Sequence, residues 1–107
     1  MLGAPAARDV ARLTALLRNE NADVRYWAAT LLARLEGKAA DAAPQLVQAL
    51  SVDSTLAVRE RAALALGQIG AGAKLAVEPL KAAAAGREPR LARLAAAALA
   101  QIEGAGK

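Results

Sequence analysis

Side chains able to do covalent or acid–base chemistry are few in this sequence of 107 residues. There is no Cys and no His, so thiol, imidazole, Ser-His-Asp and Cys/His metal chemistry are excluded. The carboxylates Asp9, Glu20, Asp23, Glu36, Asp41, Asp53, Glu60, Glu78, Glu88 and Glu103 are scattered along the chain. Most fall in turns or first helical turns, where a negative charge favours the helix dipole. Glu20 and Asp23 alone share a helical spacing, and they read as a cap region rather than a catalytic dyad. The glycine-rich run Gly67-Gln68-Ile69-Gly70-Ala71-Gly72 lacks the Gly-Lys-Ser/Thr ending of a phosphate loop and follows a helical pattern, not a strand. It reads as a helix stop. The residues therefore predict no catalytic, cofactor-binding or metal-binding role, and no enzyme.

The chemistry that remains is recognition. Tyr26 and Trp27 are adjacent and are the only aromatic residues. Trp, Tyr and Arg are the types enriched at binding hot spots. The 14 basic residues outnumber the 10 acidic ones for a net charge of +4. They run from Arg8 to Lys107 with acidic residues interleaved and form no block of one sign. Such a modest, dispersed excess makes nucleic acid the lesser reading and protein or peptide the leading one.

These residues need helices to position them. Apolar residues are 56% of the chain and aromatic ones 2%. Alanine alone supplies roughly 30%, a helix-forming and not a strand-forming composition. Six helices are predicted, at about 6–18, 22–36, 41–51, 55–69, 73–85 and 88–103. Asn19-Glu20-Asn21, Ser51-Val52-Asp53-Ser54 and Gly86-Arg87-Glu88-Pro89 separate partner helices with N-cap residues or a first-turn proline. Gly37-Lys38 and Gly70-Ala71-Gly72 supply glycines where a helix end needs a left-handed residue. Pro44 and Pro79 fall early in their helices, where a missing N–H costs little. Gly104 to Lys107 are expected to fray.

The helices repeat. Val24, Val58 and Leu91 stand about 33–34 residues apart, the period of a two-helix unit. Ala28, Ala62 and Ala95 match, as do Leu32, Leu66 and Leu99, and Leu35, Ile69 and Ile102. The upstream partner helices carry Val10/Leu13/Leu17, Ala43/Leu46/Leu50 and Val77/Leu80/Ala84, each on one helical face. Ala28, Leu31, Leu32 and Leu35 lie within a stripe of about 100°, flanked by Ala29 and its counterparts Ala63 and Ala96. Small residues at the same edge of every second helix favour stacking of pair upon pair over closure around one centre. The expectation is an all-α, right-handed solenoid of three antiparallel helix pairs. It forms a single domain over 1–107, with repeats at about 6–37, 41–70 and 73–104.

The unit resembles a HEAT repeat, or the HEAT-like repeat of bilin lyases. The resemblance is carried by Val77-Glu78-Pro79-Leu80, by Val58-Arg59-Glu60-Arg61-Ala62-Ala63-Leu64-Ala65-Leu66-Gly67-Gln68-Ile69-Gly70, and by Val24-Arg25 with Ala28-Ala29. It implies a ladder of hydrogen bonds between adjacent repeats, at Asn19 with Arg25 and Asp53 with Arg59. The third repeat departs, with Gly86 and Ala92 at the ladder positions, so the ladder should stop there. That repeat then reads as a capping unit or as a degenerate one, the cap being preferred. The resemblance also implies that the second helices line a concave partner-binding side. The residues left outside the core stripe there are Tyr26, Trp27, Thr30 and Arg34, then Glu60, Arg61, Leu64 and Gln68, then Arg93, Leu94, Ala97 and Gln101. Trp27, Arg61 and Leu94 share one repeat position. Trp27 has two readings, as packing over the first helix or as a binding anchor.

The expected function is a non-catalytic protein-interaction or scaffold module that presents a concave groove, alone or as part of a larger protein. One alternative is a nucleic-acid-binding array with a basic concave face. Another is an accessory module of a secreted hydrolase, since Val24-Arg25-Tyr26-Trp27-Ala28-Ala29 is similar to stretches in HEAT segments of bacterial sulfatases. No cofactor is expected. The start of the chain has no basic n-region followed by an apolar stretch, so no secretory signal is read there. No run approaches the eighteen or so apolar residues of a membrane span. The compartment is left open, cytoplasmic by default, and the oligomeric state is expected to be a monomer or a weak end-to-end associate.

Overall fold

The structure, a computed structural model, describes residues 6–105, and every regular element among them is helical. A 3-10 turn, Ala7–Asp9, leads into α1 (Val10–Leu16). It is followed by α2 (Ala22–Leu35), α3 (Ala43–Val52), α4 (Leu56–Ile69), α5 (Val77–Ala84) and α6 (Pro89–Ala105). The local chemistry explains the starts. The Asp9 carboxylate accepts the Ala6 N–H at 2.9 Å, and the Asn21 side chain caps α2 by accepting the Asp23 N–H at 2.7 Å. Pro89 opens α6, and Pro44 sits in the first turn of α3, where no intrahelical donor is lost.

Three expectations about local structure are corrected. First, α3 and α5 begin later than the periodicity suggested. Residues Glu36–Ala42 and Gly70–Ala76 form 3-10 segments, each broken by one non-helical residue, Ala39 (φ −94°, ψ 16°) and Ala73 (φ −111°, ψ 26°). Both alanines are fully buried, so packing in the joint overrides their helix propensity. Second, the residue with positive φ after α2 is Glu36 (φ 51°), not Gly37; after α4 it is Gly70 (φ 73°). Third, α6 runs to Ala105, beyond the expected end at about 103; Gly106 and Lys107 lie outside the described residues.

The helices form two layers. The second helices α2, α4 and α6 pack side by side with α4 in the middle, while each first helix packs on the second helix of its own pair. The Cα envelope measures 39 × 32 × 19 Å, and its thinnest dimension is about two helix diameters. One apolar cluster runs continuously from Val10 to Ile102 through both layers. Leu32, Leu46, Leu66, Leu80, Ile102 and Val58 are its largest fully buried side chains. The molecule is thus a stack of helix pairs, each completing its core on its neighbours.

Small residues set the spacing of the stack. Ala29 and Ala63 are fully buried at successive joints, whereas Ala96, their counterpart in α6, is exposed, with no helix of the described residues packed on it. Gly67 lies inside α4 and does not act as a stop. A Cβ built on it would fall 2.9 Å from the Ala98 Cα and would also collide with the Gln101 side chain. Gly70 alone terminates the helix.

Candidate protein-binding face

The layer of second helices carries the sequence-predicted recognition residues. Tyr26 and Trp27 are successive residues of α2, so their side chains diverge by about a quarter turn. Their rings meet edge to face, with centroids 5.7 Å apart and planes at 87°. From the neighbouring helix, the Arg61 guanidinium lies over the Tyr26 ring, 5.0 Å from its centroid. Such a cation–π contact contributes about 0.5–1 kcal/mol at a partly exposed site. It fixes Arg61, a long and otherwise mobile side chain, across the α2/α4 seam. The Thr30 hydroxyl donates to the Tyr26 carbonyl at 2.9 Å and leaves its oxygen lone pairs outward.

Shallow depressions follow the seams. One, at the start of the α4/α6 seam, is lined by Leu56, Ala57, Glu60, Glu88, Pro89, Arg90 and Arg93. Two more hold most of the predicted recognition residues. The first of these two, between α2 and α4, is lined by Thr30, Ala33, Arg34, Glu36, Arg61, Leu64 and Gln68. The second, between α4 and α6, is lined by Glu60, Arg61, Leu64, Arg90 and Leu94. Arg61 and Leu64 belong to both and form the ridge between them. The structure therefore brings together Tyr26, Thr30, Arg34, Glu60, Arg61, Leu64, Gln68 and Leu94. Leu64 and Leu94 are half-buried and rest partly on the core. Ala97 and Gln101 are exposed on α6 and line none of these depressions, and Arg93, also exposed, borders only the one at the start of the α4/α6 seam.

Trp27 lies apart from all three. It is 57% exposed, which overturns its reading as packing over the first helix. Two contributors went unread in the sequence. Arg90 places its Nη1 3.9 Å from Glu60 Oε1, and Glu36 enters the first depression from the strained end of α2. The signal for Glu36 was present: the same repeat position holds Gly70, so the side chain there is the anomaly.

The turn side of the stack is held by a different set of bonds. Asn19 and Asp53 close equivalent turns, Asn19 Oδ1 accepting the Asn21 N–H at 2.9 Å and Asp53 Oδ1 the Thr55 N–H at 2.9 Å. Arg25 and Arg59 each donate to the backbone carbonyl of their own turn, Arg25 to Asn19 O at 2.8 Å and Arg59 to Asp53 O at 2.7 Å. The bond that crosses between repeats joins Arg25 to Asp53, with Nε to Oδ2 at 2.8 Å and Nη2 to Oδ1 at 3.2 Å. The side chains of this pair are 14% and 6% exposed, and a forked pair so sheltered orients the two repeats as well as joining them. The Asn19 side chain plays no part toward Arg25; only its carbonyl does. Beyond Arg59 the next turn offers Gly86, which has no side chain to accept a bond.

Among the described residues no group of three or more metal-ligating side chains occurs, and no helix is long and apolar enough to cross a membrane. A family model described as HEAT repeats matches residues 10–100, from the first turn of α1 into the last turns of α6. No curated protein matches the chain.

Proposed function

The chain belongs to the HEAT repeat family, and from that premise we propose that it is a non-catalytic interaction module that holds a protein segment along its second-helix face. Repeats of this family generally mediate protein interactions and scaffolding. The observation that carries the reading is the ridge of Arg61 and Leu64 between two depressions. It offers a charged donor fork and an apolar side chain already fixed by Tyr26 and by the core. Groups ordered before binding lose little entropy on binding, so a small face can hold a partner. Arg34, Arg61 and Arg90 outnumber Glu36 and Glu60 around these two depressions, which favours an extended segment with acidic and apolar side chains. The side-by-side packing of α2, α4 and α6, against the lighter contact of α3 with α5, supports placing this face on the inner side of the curve.

Peptides selected from a random display library against the folded chain test the proposal. Arg61→Glu is expected to weaken the selected peptides at least tenfold, about 1.4 kcal/mol, with helicity by circular dichroism retained. Peptides that bind Arg61→Glu and Leu64→Glu as well as the parent chain contradict it. So would tighter binding of a random-sequence oligonucleotide than of any peptide, with the steep salt dependence of phosphate contacts.

A further inference from the structure

The joints inside the stack follow one rule. Each second helix has a forward edge toward the next pair and a backward edge toward the previous one. At the α2/α4 joint the forward Tyr26 meets the backward Arg61, 5.0 Å from ring centroid to guanidinium. At the α4/α6 joint the forward Glu60, counterpart of Tyr26, meets the backward Arg90 at 3.9 Å, and the forward Gly67 touches the backward Ala98. Applied to the two outer edges, the same rule identifies the free groups. By register with Tyr26 and Glu60, Arg93 holds the forward position on α6; it is exposed and borders the recess that Glu60 and Arg90 also line, so it turns outward to reach a new neighbour. Asp23 and Trp27 hold the backward positions on α2 and are exposed as well.

We infer that these two edges are complementary and that the chain associates head to tail with a second copy of itself, α6 of one against α2 of the other. In that arrangement Arg93 faces Asp23, the pairing of Glu60 with Arg90 with its charges exchanged. Arg93 also reaches Trp27, repeating the cation-on-ring contact of Arg61 and Tyr26 with donor and ring exchanged. Ala96 and Ala100, counterparts of residues buried at both inner joints, gain cover from Leu31. Leu31 is bulkier than its counterparts Ala65 and Ala98, so this joint is wider than the inner ones. It also lacks the ladder, because Ala92 supplies no guanidinium and Asn19 no charge. The association is therefore reversible, and since the joint is heterologous and does not close on itself, it builds rows that lengthen with concentration.

Sedimentation velocity on the 107-residue chain across a wide concentration range tests this. The weight-average mass is expected to rise with concentration and the Trp27 emission to shift to the blue in step. Arg93→Glu should hold the chain monomeric, and Asp23→Arg combined with Arg93→Glu should restore association by exchanging the charges. Circular dichroism identifies any variant that fails to fold, and Ala96→Arg then serves as a second block on the same edge. A chain that stays monomeric at every concentration overturns the proposal, as does association indifferent to Arg93→Glu and Ala96→Arg. The joint does not involve Arg61 or Leu64, the ridge on which the proposed peptide-binding face is centred, so its failure would leave that face untouched.

Discussion

At the scale of single residues, the most informative position is Glu36. Its φ of 51° places an L side chain in backbone space that glycine occupies without strain, as Gly70 does at φ 73° one repeat later. Such a conformation costs about 1 kcal/mol or more. Glu36→Gly is expected to stabilise the fold by about 1 kcal/mol, seen as a rise in Tm of roughly 4–8 °C by thermal denaturation. An unchanged or lowered Tm would mean that the carboxylate makes up the strain through contacts of its own. The sequence misplaced this feature by one residue, because glycine at 37 is the natural candidate and nothing local says that its neighbour takes the turn. Trp27 was ambiguous for a related reason. A helical wheel gives its angle to the core but not whether a helix lies in that direction, and among the described residues none does on that side. Arg25 and Asp53 were readable as ladder residues only through the family resemblance; that they bond across the repeat, while Asn19 offers only its carbonyl, depends on distances the sequence does not carry.

At the scale of elements, the six helices were legible because spacing, caps and prolines agreed. The 3-10 segments before α3 and α5 were not, because Ala39 and Ala73 are strong helix formers that burial in the joint forces out of helical geometry. Gly67 shows the same limit. In sequence it belongs to a glycine-rich stop, whereas in the fold it is the point where α4 and α6 come closest. Gly67→Ala sets two effects against each other. Helix propensity gains about 1 kcal/mol, while a methyl group against the Ala98 backbone costs about 1–3 kcal/mol because backbone yields less readily than a side chain. The expected net is a loss of up to about 2 kcal/mol in urea denaturation, with the α4/α6 joint loosened. A more stable variant would show that the joint opens freely and that the close approach is incidental.

At the scale of the whole molecule, the stacked architecture was legible from the period alone, since residues that repeat at fixed distance must make the same contacts again. The face that a partner meets was legible as a set of helix positions and not as a shape. Which side chains share a depression depends on how α2, α4 and α6 sit against one another, and that is set by Ala29, Ala63 and Gly67. The central claim is that this stack holds its second-helix face ready for a protein segment, centred on Arg61 and Leu64. The most direct test is amide chemical-shift mapping of the folded chain with a selected peptide. The account predicts perturbations concentrated on the exposed positions of α2 and α4 and the adjoining side of α6, around Thr30, Arg61, Leu64 and Leu94. Perturbations concentrated on α1, α3 and α5 would contradict it.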